Sequence, residues 1–196
     1  MGNLTNLTDL TFIILVRLDS IERLENILET TRYLSLNFET NIWVSEYSSY
    51  NNGLLKKLLN KRIRYTFNED NDPILYRTKF LNQMTRVLEK PFVAVWDTDV
   101  IAPGGQIVKA LELLRNREAD FVYPYDNYFL DTSLILRKLY LREKKIELLE
   151  QNRKKMKEMY MPNPVGGAFH NDDQHHLKMK EFKSVRRNYS TKDILL

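Results

Sequence analysis

Cysteine is absent from all 196 residues. Disulfides and zinc–thiolate sites are therefore excluded, and the composition fits a reducing, cytoplasmic setting. Long apolar runs are absent too, since none approaches the roughly 18–20 residues that a membrane span needs. Met1 to Asp9 has no basic stretch followed by an apolar core, so no secretory signal is read there. There is no internal repeat and no aromatic-rich RNA-reading signature, and no nucleic-acid partner is expected. What is present is ordinary: 43% hydrophobic and 29% charged residues describe a globular protein. The length suits one domain with a proper core and is short for two.

Charge is unevenly placed. Arg137 to Tyr160 holds nine Lys/Arg against four Glu, and Lys178 to Leu196 holds six against two acids. With a net charge of +4 for the whole chain, the remainder is mildly acidic. Basic stretches of this kind either meet an anionic surface, such as a membrane, or form a solvated helix face.

The most telling segment is Phe92 to Trp96, a short apolar run that ends in Asp97 and Asp99, one residue apart. Such a run reads as a buried strand, and carboxylates at its carboxyl end stand where open α/β sheets bind ligands. Two hard oxygen donors suit Mg²⁺ or Mn²⁺, which in turn hold phosphate oxygens. The plainer alternative is that both aspartates only begin a turn.

The rest of the chain reads as alternating strands and helices. Leu10 to Val16 is a central strand, Ser20 an N-cap, and Ile21 to about Leu34 a helix. Thr40 to Glu46 is a second strand, joined by a right-handed crossover. A short helix near Leu54–Leu59 follows, then a strand over Arg62–Phe67 and a helix over Leu75–Leu88. Beyond the Asp-x-Asp strand lie a helix over Ile107–Leu114 and a strand over Asp120–Pro124. Ser133 to Met161 reads as one long, charged amphipathic helix, arching over the domain or contacting a second copy in a homodimer. Arg142 and Arg153 on its seam count against a self-sufficient coiled coil. Pro162 to Phe169 is a tight small-residue segment, and the remainder has no period. The expected fold class is α/β, a mostly parallel sheet flanked by helices with a long charged C-terminal helix.

In this order, the strand ends at Arg17-Leu-Asp19 and Glu46, the Arg77–Asn82 segment, the Asp-x-Asp strand and Pro164-Val-Gly-Gly-Ala-Phe169 resemble the GT-A glycosyltransferases. The likeness is to the family 2-like and galactosyltransferase-type enzymes, and it covers most of Leu10–Phe129. It implies a Rossmann-like nucleotide-sugar core over residues 1–132, the helix over 133–161, and a partial acceptor-side segment with a basic tail over 162–196. Arg17 and Asp19 would lie near the nucleoside, and Glu46 near base or ribose. Arg77, with Lys79, would meet the diphosphate. Asp97 would touch ribose or a metal-bound water, and Asp99 would ligate Mn²⁺ or Mg²⁺, the two aspartates together forming the metal site. Gly166, Gly167 and Ala168 would shape the sugar and acceptor side. The implied reaction is sugar transfer, with inversion, to a glycan or lipid-linked acceptor in surface polysaccharide synthesis. It would take place in the cytoplasm, with peripheral contact to the inner membrane face through the basic helix.

The sequence also departs from that pattern. The Gly-Trp-Gly-x-Glu-Asp frame that carries the family's catalytic base is missing. Either Asp172 and Asp173, with His175 and His176, replace it, or the chain stops short of the acceptor region. Two other readings stand beside this one. A haloacid-dehalogenase-type phosphatase also uses strand-Asp-x-Asp, its first Asp as nucleophile, though normally on the first strand. A non-enzymatic module would use the Arg137–Tyr160 helix on an anionic surface.

Overall fold

Every residue from Thr11 to Val16 is buried, so the first strand must be covered on both faces. In this computed structural model, which describes residues 4–125, 128–160, 167–171, 182–184 and 193–195, β1 (Thr5–Val16) is an interior strand of the sheet. Its side chains alternate between two layers. Phe12, Ile14 and Val16 pack with Leu24, Ile27 and Leu34 of α1 (Ile21–Asn37) on one face. Ile13 and Leu15 pack with Trp43, Phe80 and Met84 on the other. Each such side chain contributes about 1.5–3 kcal/mol by leaving water.

The main sheet has seven strands. β2 (Phe38–Ser48) and β3 (Arg64–Glu69) extend it on one side of β1, and β4 (Phe92–Trp96) lies on the other. Beyond β4 come β9 (Gly167–His170), β6 (Phe121–Tyr123) and β10 (Phe182–Ser184). All pair in parallel except β9, which runs antiparallel to both neighbours. A smaller sheet holds β5 (Val100–Ile101), β11 (Asp193–Leu195), β7 (Tyr128–Asp131) and β8 (Lys157–Tyr160). Helix α2 (Leu54–Leu58) joins β2 to β3, α3 (Arg77–Thr85) precedes β4, and α4 (Gly104–Arg115) precedes β6. The mostly parallel sheet flanked by helices is thus the architecture the chain adopts.

Helix α1 begins where the sequence places it. Ser20 is extended, and its Oγ accepts from the Arg23 N–H at 3.2 Å. The helix then runs to Asn37, three residues past the expected end.

The helix expected over 133–161 is not one helix. Ser133 caps α5 (Leu134–Glu143), which stops at Lys144 in the left-handed region, φ 59°. Next come α6 (Ile146–Gln151), a 3₁₀ turn at Arg153–Lys155, and β8, antiparallel to β7. Tertiary partners override the helical period here. The Lys144 ammonium reaches the Glu29 carboxylate at 2.7 Å, and β8 pairs with a strand formed from the aromatic loop region.

Glu29 is the anchor of that arrangement. It is fully buried on α1 and accepts from Arg32 Nη2 at 2.6 Å and from the Tyr140 hydroxyl at 2.6 Å, besides Lys144. Beside it, Arg137 is only 7% exposed and donates to Asn26, to the Glu22 carbonyl and to Glu25. The positive charge at the start of the expected basic face is therefore spent inside the protein.

Candidate functional site

β1 and β4 end side by side, and the segment Asp97-Thr98-Asp99 crosses their carboxyl end. Three hydrogen bonds hold that segment and the residues that follow it. The Trp96 indole donates to the Val100 carbonyl at 3.1 Å, closing the turn from within. Thr30 of α1 donates to the Thr98 carbonyl at 2.9 Å, and Tyr33 to that of Ala102 at 2.9 Å. Both carboxylates are thereby fixed by the sheet and by α1. They face a cavity of about 390 Å³, within the usual range for small-molecule sites. Arg17, Arg23, Arg77, Tyr125, Phe129 and Gly167 also line it.

The expected binding residues divide. Arg77 pairs with Asp97, joining α3 to β4 at the cavity wall. Arg17 lines the cavity, but four of its hydrogen bonds are already committed. They go to the carbonyls of Tyr47, Asp72 and Pro73 and, at 2.5 Å, to Asp70. Arg17 therefore pins the loop that leads into α3 and places Arg77. Asp19 is half-exposed outside the cavity and binds Arg23 at 2.9 Å. Lys79 is exposed and lies 5.6 Å from the Phe80 ring, also away from the cavity. Glu46 is buried, accepts from the Tyr65 hydroxyl at 2.7 Å, and does not reach the cavity. The cavity sits over the ends of β1 and β4, and no residue of β2 lines it, although Val16, the partner of Glu46 across the strand pair, does.

Asp99 is electrostatically the least settled group. Burial raises its carboxyl above the ordinary range, and the negative charge of Asp97 raises it further. Its own backbone N–H, Arg23 and Arg77 offset this only in part. Unlike Asp97, it makes no ion pair among the described residues. A cation placed between the two carboxylates would relieve the repulsion.

No group of three or more His, Asp or Glu among the described residues is arranged to hold a metal. Two carboxylates alone fit Mg²⁺ or Mn²⁺ only when water and phosphate oxygens complete the shell. The donor set therefore suits a cation arriving with a phosphorylated ligand.

No protein-family model and no curated protein matches this sequence. Solved structures of similar chain course exist. One is CMP:2-keto-3-deoxy-manno-octonic acid synthetase complexed with CTP, at 9% identity and TM-score 0.48, with 85% of this chain and 76% of that one covered. Another is 4-diphosphocytidyl-2C-methyl-D-erythritol synthase from Anaerococcus prevotii, at 11% identity and TM-score 0.45, covering 84% and 71%. A third is glucosyl-3-phosphoglycerate synthase from Mycobacterium tuberculosis, in complex with Mn²⁺, UDP and phosphoglyceric acid. It is 13% identical with TM-score 0.48; 83% of this chain is covered, and 56% of that one.

Gly167 opens β9 at the cavity wall with φ +115°, a conformation that side chains rarely adopt. An added Cβ would sit 2.6 Å from the Phe121 ring and 3.0 Å from the Val122 carbonyl oxygen. Gly167→Ala should therefore lose about 1–3 kcal/mol. Urea unfolding of the variant checks this, and an unchanged midpoint would exclude the strain. Ala168 follows in β9, buried against the sheet and outside this cavity. Gly166, Asp172 and Asp173 lie outside the described residues, as do His175 and His176.

Arg23 and the aromatic wall of Tyr125 and Phe129 were not anticipated as site residues. Arg23 is marked in the sequence only by its spacing four residues after Asp19. Tyr125 and Phe129 stand in an aromatic-rich stretch whose position depends on β7 folding back.

Proposed function

We propose that this chain binds a nucleoside-diphosphate sugar in the cavity at the carboxyl end of the sheet and belongs to a metal-dependent, GT-A-like sugar transferase. The observation that carries the reading is the fixed Asp97–Asp99 turn, one carboxylate paired with Arg77 and the other raised and without an ion pair. Arg77 would bind diphosphate oxygens, where a guanidinium forms paired hydrogen bonds. Tyr125 and Phe129, their rings tilted 51° to one another, offer an aromatic wall against which a ring can pack. Mn²⁺ or Mg²⁺, when bound by Asp99 and Asp97, would stabilise charge on the departing nucleoside diphosphate. Arg17 and Arg23 position the walls, and Gly167 keeps the sugar side open. The acceptor is a glycan or a lipid-linked glycan, and no base for the transfer is assigned.

The phosphatase reading is weaker, because Asp97 is engaged by Arg77 and follows the fourth strand rather than the first. The basic-helix module loses its helix.

Calorimetric titration of UDP, GDP and CTP, each with and without Mn²⁺, tests the proposal. Saturable binding of at least one nucleotide is expected only with metal, while Mn²⁺ alone binds weakly. Arg77→Ala should weaken nucleotide binding about 10- to 100-fold, the worth of charged hydrogen bonds. Binding that ignores both metal and Arg77 would remove the basis for the reading.

A further inference from the structure

Between Tyr47 and Asn68 the chain has five cations, Lys56, Lys57, Lys61, Arg62 and Arg64, and no carboxylate. Arg64 lies over the Trp43 ring at 3.8 Å. The other four are exposed and form no ion pair with described residues. Apolar groups stand among them. Helix α2 and its C-cap bury Leu55 and Leu59, while Leu54 and Leu58, one helical turn apart, are 41% and 49% exposed. Tyr50, in the loop just before the helix, is 74% exposed.

We infer that α2 and its flanking loops form a docking surface for an anionic lipid bilayer. The lysines meet headgroup phosphates, and Leu54, Leu58 and Tyr50 enter the acyl boundary. Charge complementarity selects this partner, because an unopposed block of cations is attracted to an anionic leaflet. A nucleic-acid backbone would also use the cations, but it would leave two exposed leucines without a partner. Among the described residues no helix is long and apolar enough to cross a membrane, so the contact lies on the surface. With only five helical residues it is a shallow, salt-sensitive one. Tyr50 follows the carboxyl end of β2, the same end of the sheet as Asp97 and Asp99. Vesicle binding needs no nucleotide, so it stands or falls apart from the transferase reading.

The test is co-sedimentation of the full chain with phosphatidylglycerol/phosphatidylcholine vesicles and with phosphatidylcholine alone, at low and high salt. Binding is expected only to the anionic vesicles and is lost at high salt. K56Q/K57Q/K61Q should weaken it about 100-fold, at about fivefold per lysine. L54S/L58S should weaken it about tenfold or more. K154Q/K155Q/K157Q removes equal charge from exposed positions elsewhere and leaves binding unchanged. Where the first triple fails to fold, Lys57→Gln alone, about fivefold weaker, takes its place. Equal binding to neutral vesicles, or equal loss from both triples, overturns the inference. So does displacement by RNA that is insensitive to L54S/L58S, which would assign the cations to nucleic acid.

Discussion

Asp99→Asn should make the metal-free protein more stable at neutral pH while abolishing metal-dependent nucleotide binding. The Asp99 carboxyl is raised in the folded state, first by burial and then by Asp97. A raised acid favours folding while it is protonated, below its unfolded-state value, and that contribution is lost as pH rises through the folded value. At pH 7 the wild-type carboxylate is therefore a burden that asparagine does not carry. A gain of about 1 kcal/mol corresponds to about 2–4 °C in Tm for a chain of this length. Removing a direct ligand should cost at least the 10- to 100-fold in metal affinity seen when supporting groups are lost. Thermal scans in chelator at neutral pH and near pH 4, with Mn²⁺–nucleotide titration alongside, check both halves. The Tm gain should shrink at the lower pH. A variant that melts earlier at neutral pH, or that keeps Mn²⁺-dependent binding, contradicts the assignment.

Glu29→Ala should be the most damaging single substitution outside the hydrophobic layers. Burial pushes this carboxyl up, but hydrogen bonds from Arg32, Lys144 and Tyr140 together outweigh it and leave the group below its ordinary value. Removing it strands a buried hydroxyl and two cations, at a cost of about 3–5 kcal/mol. A loss of that size lowers Tm by roughly 6–20 °C. Because the folded value is depressed, the stabilisation is present above the unfolded-state value and disappears as pH falls through the folded one. Wild type should therefore lose stability faster than Glu29→Gln on going from pH 5 toward pH 3. Coincident acid limbs for the two proteins would show that the carboxylate is not held as described.

The parts of this molecule that the sequence displays are those written in one continuous stretch. β1 is a single apolar run, α1 carries its cap and its period together, and Asp97 and Asp99 end a strand of five residues. The parts it hides depend on partners far along the chain. β9 is only four residues, too short to show a period, and its neighbours β4 and β6 lie well before it. The charged stretch from Ser133 has a helical spacing throughout, yet Glu29, over a hundred residues earlier, breaks it at Lys144. Within the site, Asp97, Asp99, Arg77 and Gly167 line one cavity. Glu46 does not, because the cavity lies over β1 and β4 and takes no residue from β2, a sideways offset that the sequence of one strand does not show.

The antiparallel strand β9 also has a consequence for synthesis on the ribosome. Strands β1 to β4 can pair as they emerge, but β4 keeps an open flank until Gly167–His170 arrives, and β6 waits with it. At about 5–20 residues per second, the stretch after Trp96 takes several seconds to translate. Throughout that interval the nascent sheet exposes an unpaired row of N–H and C=O groups to any other extended chain nearby. A chain released before Gly167 is added would thus carry that sticky seam along the edge of its partial sheet.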